Sequence, residues 1–322
     1  MQFDYVFKGG LVTTAEASVP ADLAVAAGKI AAIGHDLQGT EVIDASGLLV
    51  LPGAIDVHTH FALSIGTMAT ADDYESGSRA AAFGGVTSFI NYVFQEPGKT
   101  LVEAVDGELS KADGRTYLDF GFHVAITDPD SLDLGVELPA LIERGVTSIK
   151  IFTAVEGWQL HRQQILTVMQ AAVEHGLILN VHAEDGPLAT HLTDRLLADG
   201  KRSVAALPAA RPPESESIAV AIVSHYAEIL GCPLYIVHLS CRKALEVTSA
   251  ARARGRRSTS RRVRCTSTST AAATTSREPR GTSLFAGRRS VRRLTSRRSG
   301  TASRPGRSRR TARTMCRGRP PR

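Results

Sequence analysis

Apolar and polar positions alternate through the first fifty residues of the chain, and then the rhythm changes. YVFKGGLVTT, ADLAVAAGKIAAIG and EVIDASGLLVLPG read as short strands separated by turns, and their glycine pairs suggest hairpins. Residues 1–52 therefore predict a small β-subdomain. From residue 54, short apolar runs take turns with longer stretches of helical period. The runs are AIDVHTH, VTSFINYV, DFGFHVAIT, VTSIKIFTA, LILNVHAED and PLYIVHLS. Between them DDYESGSRAAAFGG, TLVEAVDGELSKAD, LPALIERG and RQQILTVMQAAVEHG predict helices, with Gly145 and Gly176 standing where a helix ends. A longer insertion, roughly 187–230, separates the fifth and sixth runs. Its RPPESES segment reads as a loop leading into a helix.

Six successive strand–helix units with apolar strands imply a parallel sheet covered by helices. An α/β fold of the TIM-barrel type fits best, incomplete at six units over 53–254 where a closed barrel has eight. An open doubly wound sheet is the alternative, but no glycine-rich phosphate loop supports it.

Candidate chemistry favours the barrel, whose active sites lie at the C-terminal ends of its strands. His58 and His60 stand two apart on the first predicted strand, so their side chains point the same way. Lys150, His182 and His238 each follow an apolar run at the end of a later strand. Any one of these is more often an ordinary packed or surface residue than a ligand. Their recurrence at successive strand ends is what points to a metal-dependent hydrolase.

Charge divides the 322 residues in two. Residues 255–322 hold 21 Arg and one acid, Glu278. Of the whole chain's 38 basic and 32 acidic residues, that leaves 17 and 31 in the body. The body is acidic, and the overall +6 comes from the tail. Cys232 and Cys241 flank one predicted strand and Cys265 and Cys316 lie in the tail, a pattern that gives no disulfide framework. No run is long and apolar enough for a membrane span, and the first residues lack a signal-peptide pattern, so a cytoplasmic location is expected.

As a set, GAIDVHTHF, SIKIF, LNVHAED and IVHLSCRKALE resemble the cyclic amidohydrolases of the hydantoinase/dihydropyrimidinase family, over residues 1 to about 254. The resemblance implies two divalent metal ions, usually zinc. His58 and His60 would hold the first, and His182 and His238 the second. Lys150, carboxylated by CO2, would bridge them. It further implies that a metal-bridging hydroxide attacks the carbonyl of a small cyclic amide or imide, and that the protein is a homo-oligomer. The family's proton-transferring Asp, in a TDHxP-type motif on strand eight, is missing here. Val155 occupies the place where the family has an oxyanion-stabilising Tyr.

The tail bears on that missing Asp. It contains no Lys, Asp, His, Tyr or Trp, a bias typical of GC-rich codons read out of frame. Taking the third base of each codon with the first two of the next, Arg261–Thr270 permits T-[CG]-P-[VL]-Y-L-Y-L-D, Gly287–Val291 permits P-P-L-R and Ala312–Arg317 permits T-D-H-V-P. These resemble family blocks in family order. The expectation is a frameshift near Ala253–Arg256, an unclosed sheet with apolar edges on its first and sixth strands, a disordered tail, and a poorly soluble, impaired chain. Two other classes are weighed against the hydrolase. A non-catalytic scaffold of the same fold would not be expected to keep all five ligands. Nucleic-acid binding through the Arg-rich tail would be non-specific.

Overall fold

The computed structural model describes residues 2–255 and 264–267 of the chain. They fall into two compact units. The first comprises residues 1–91 and 115–121. It opens with strands β1 (Phe3–Thr13), β2 (Ser18–Ala26), β3 (Lys29–Gly34), β4 (Gly39–Asp44) and β5 (Leu49–Val50). As the alternation predicts, β1–β2 and β2–β3 are antiparallel hairpins. However, β4 and β5 both pair parallel with β1, so this sheet is not built of hairpins alone. The period-2 pattern locates strands without fixing their partners. A bulge between Phe7 and Gly10 lets β1 serve two registers, and Gly9 takes φ +72°, a conformation that favours glycine. The buried carboxylate of Asp22 accepts the Gly9 N–H at 2.9 Å and the Leu37 N–H at 3.1 Å, pinning that bulge to the turn after β3.

The same unit carries β6 (Ala54–Thr59), the short pair β7 (Ser64–Ile65) and β8 (Met68–Ala69), α1 (Tyr74–Phe83) and most of β9 (Val86–Phe94). Asp73 caps α1 in a reciprocal box with Ser76. Phe61, directly after the HTH triplet, packs edge-on against Phe89 and Tyr74, at centroid distances of 5.0 and 6.3 Å. Gly77 on α1 makes room for it, because a Cβ there would come within 2.4 Å of the Phe61 ring.

The second unit, residues 92–114 and 122 onward, holds α2 (Leu101–Ala112), most of β10 (Asp119–Ala125), α3 (Leu134–Glu143), β11 (Ser148–Phe152), α4 (Arg162–Glu174), β12 (Ile178–His182), α5 (Gly186–Ala198), α6 (Leu207–Ala210), α7 (Pro213–Leu230), β13 (Leu234–Leu239), α8 (Arg242–Gly255) and β14 (Arg264–Ser267). Gly145 (φ +83°) and Gly176 (φ +71°) close α3 and α4 as expected. Along β11 and β12, Ile149, Ile151, Leu179 and Val181 join the core formed with Leu138, Met169 and Val220 of the helices. The intervening residues Ser148, Lys150, Phe152, Asn180 and His182 take the opposite face.

The parallel strands follow chain order, β6-β9-β10-β11-β12-β13-β14, with helices between them. This is the β/α succession of a TIM-type barrel, and all six predicted strands occur where the apolar runs lie. Among the described residues the sheet ends at β6, where Ile55 is 60% exposed. The open apolar edge expected on the first strand is thus present. On the sixth strand the expectation differs from the structure, because β14 pairs parallel with β13. The other expectations for 255–322, the disorder and the out-of-frame origin of the sequence, fall almost entirely outside the described residues. Among those described, no helix is long and apolar enough to cross a membrane.

Candidate metal centre

The first histidine pair lies in the first unit. Alternation along β6 buries Thr59 on one side and sends His58 and His60 to the other. Their Nε2 atoms are 3.2 Å apart, with the rings edge to face. The backbone around them is held by Asn91 of β9, which is fully buried. Its Oδ1 accepts the Thr59 hydroxyl at 3.0 Å and the Phe61 N–H at 2.9 Å, and its Nδ2 donates to the Tyr74 hydroxyl at 2.8 Å. One amide therefore fixes both residues that flank His60.

The second unit holds Lys150, His182 and His238. Lys150 lies in the middle of β11 rather than at its end, and it is only 1% exposed. Its Nζ sits 4.7 Å from the Tyr92 ring centroid and 4.9 Å from that of Phe152. No carboxylate among the described residues pairs with it. Ring faces favour an ammonium by about 0.5–2 kcal/mol. Burial outweighs this, pushing the amine from its ordinary 10.5 down to about 7, which corresponds to roughly 5 kcal/mol against the charged form. A substantial neutral fraction at physiological pH is what capture of CO2 requires.

His182 Nδ1 faces His238 Nε2 at 3.0 Å. His238 occupies the left-handed region at φ +35°, uncommon for a side chain of this size. Burial first, and then the neighbouring His182 and Lys150, push the His238 imidazole down to about 4. It is therefore neutral near pH 7, the form that binds metal.

Glu184 stands behind this pair, with Oε2 at 2.8 Å from His182 Nε2 and in a salt bridge with Arg211. Burial would raise its carboxyl, but the His182 hydrogen bond and the Arg211 charge outweigh that and hold it below the usual range. The Thr153 hydroxyl ties the backbone here. It accepts the Glu184 N–H at 2.9 Å and lies within donating distance of the Glu184 and His182 carbonyls at 2.6 and 3.0 Å. The isosteric change Thr153→Val removes all of these and leaves the partly buried Glu184 N–H without this acceptor. Denaturant unfolding should show it to be destabilising by about 1–3 kcal/mol.

Asn91, Thr153, Glu184 and Arg211 carry no periodic signal, and sequence reading did not find them. Among the described residues no group of three or more His, Cys, Asp or Glu is placed to hold a metal. The histidines come in pairs, and Lys150 is not a metal ligand of ordinary type unless it is carboxylated. The two pairs fit the donor chemistry of zinc: imidazole nitrogens converging, with the backbone held from behind. Val155 takes φ +82° and offers no hydroxyl donor.

Comparison with known proteins identifies relatives of the chain. The Amidohydrolase family model matches residues 49–206. A D-hydantoinase of Geobacillus stearothermophilus is 40% identical over 254 residues, covering 78% of this chain and 54% of its own length. A dihydropyrimidinase of Rattus norvegicus is 32% identical over 260 residues, covering 78% and 50%. The crystal structure of dihydropyrimidinase from Brevibacillus agri superposes with a TM-score of 0.77 at 33% identity, covering 82% of this chain and 57% of that one. The chain spans about half the length of the curated relatives it matches. Through the part these matches cover, the chain belongs to the amidohydrolase family, in its hydantoinase/dihydropyrimidinase branch, with an incomplete form of that family's barrel.

Proposed function

We propose that this chain is the ligand-bearing part of a metal-dependent cyclic amidohydrolase that opens a hydantoin, dihydropyrimidine or related ring. The observation that carries the reading is Lys150, an amine buried on a strand, held partly neutral near pH 7 and without a carboxylate partner among the described residues. Such a group costs stability, and a strongly shifted, buried amine of this kind marks a functional-site candidate. The names of the relatives, D-hydantoinase and dihydropyrimidinase, supply the substrate class.

On this reading His58 and His60 would hold one zinc ion, His182 and His238 would hold a second, and Lys150, once carboxylated, would supply an anionic oxygen ligand. Bound metal supplies a water activated at neutral pH and a Lewis acid for the ring carbonyl. The chain's own residues keep the His238 imidazole neutral, hold the backbone beside the imidazoles and bury the amine. Proton transfer to the leaving nitrogen falls to the strand-eight Asp that the shifted frame encodes, so turnover depends on that frame.

Metal content tests the assignment. The chain is incubated with Zn2+ and bicarbonate, freed of excess metal, and its zinc counted by plasma emission. Two ions per chain are expected. His58→Asn with His60→Asn should remove one, and His182→Asn with His238→Asn the other. A folded chain that retains no zinc overturns the reading.

A further inference from the structure

The RPPESES segment enters α7 and has no role in the chemistry above, yet it reaches the backbone behind both histidines of the second pair. Arg211, just before Pro212, forms the salt bridge to Glu184, two residues after His182. Ser215, fully buried, accepts the Asp185 N–H through its carbonyl at 2.9 Å and its hydroxyl at 3.0 Å. Glu216, nearly buried, accepts the Ser240 N–H at 2.7 Å and its hydroxyl at 2.8 Å, two residues after His238. One stretch of six residues thus meets the position two beyond each imidazole.

We propose that Arg211 and Glu216 are positioning residues for this pair, Arg211 acting on His182 through Glu184 and Glu216 acting on His238 through Ser240. The inference rests on the reading of His182 and His238 as metal ligands. The chemistry on the His182 side is specific. A carboxylate paired with a guanidinium can only accept, so Glu184 requires the proton on His182 Nε2. That leaves the Nδ1 lone pair directed at the space it shares with His238 Nε2. On the His238 side the two Glu216 bonds hold the chain at Ser240, two residues beyond a residue in the left-handed region.

Two readouts on the full 322-residue chain test this. In the metal-free protein, 15N spectra of labelled histidine report which nitrogen of His182 carries the proton. In the zinc-loaded protein, competition with a chromophoric chelator reports affinity. The wild type should show the Nε2–H form. Arg211→Leu and Glu184→Leu should mix the two tautomers and weaken zinc binding about 10- to 100-fold, the usual effect of losing such a partner. Glu216→Gln should weaken zinc binding with the His182 tautomer intact. Arg211→Lys should restore both readouts, and Arg254→Leu, which breaks an exposed pair with Glu228, should change neither. Arg211 is partly exposed, so its variants are expected to fold, which thermal unfolding checks.

Unchanged zinc affinity in both Arg211→Leu and Glu216→Gln overturns the proposal, as does a wild-type His182 protonated on Nδ1. If the wild type binds no zinc, the metal reading itself fails. The tautomer measurement then decides positioning by itself, and equal spectra for wild type and Arg211→Leu overturn it.

Discussion

Lys150→Met should give a metal-free protein that is more stable than the wild type at pH 7 and unable to hold its zinc. The amine is 1% exposed and its protonation is pushed from 10.5 down to about 7 by burial. Because the folded value lies below the unfolded one, the native state binds fewer protons between them. The penalty is therefore full below about pH 7, shrinks as pH rises through the window from about 7 to 10.5, and vanishes above it. Met fills similar volume without charge, and replacing a buried ion with an apolar side chain typically stabilises by roughly 1–4 kcal/mol. Chemical denaturation of both proteins across pH 6–11 measures it. The advantage of Met should be largest at the acid end and fade on the alkaline side. Zinc and 13C-bicarbonate supply the complementary readout: a carbamate signal in wild type, none in the variant. A variant that is less stable at pH 7, or that keeps its zinc, would sink both halves of the argument.

Restoring one base near the codons for Ala253–Arg256 should turn a nearly inert product into a working hydrolase. The 322-residue chain carries the five candidate ligands, and on the proposed reading its translated frame lacks the aspartate that would pass a proton to the leaving nitrogen. A positioned acid–base group contributes about 10²–10⁴-fold, so the frame-restored protein should open hydantoin or dihydrouracil at least about 10²-fold faster. Re-sequencing the gene across codons 245–322 comes first, and ring-opening assays on the two proteins side by side follow. Equal turnover by both, or ordinary turnover by the 322-residue chain alone, removes the frameshift from consideration.

The strands and the facing of their polar residues are legible because both follow period 2. Apolar runs mark β6, β9, β10, β11, β12 and β13, and the same alternation that buries Ile149 and Ile151 turns Lys150 to the other face. His58 and His60 could be paired from spacing alone. The parallel pairing of β4 and β5 with β1 was not legible, since strand pattern says nothing about partners. Asn91, Thr153 and Glu184 escaped for a different reason. Each is one polar residue whose importance comes from a hydrogen bond about 30 positions away, and no local pattern encodes that. RPPESES reads as a loop and helix start, while its reach to Glu184 and Ser240 is set by the fold and not by local pattern. β14 was missed because RCTS reads as part of a polar, Arg-rich stretch with no strand alternation.

The bonds from Arg211 and Glu216 to the residues behind His182 and His238 also bear on descent within the family. A lineage can lose either of them by a single change at 211 or 216, or by a short insertion before α7, while every candidate ligand stays in place. Its gene would still look competent to anyone comparing ligands alone. Divergence of residues 211–216 is therefore a separate clock from divergence of the candidate ligands, and the two should be read independently.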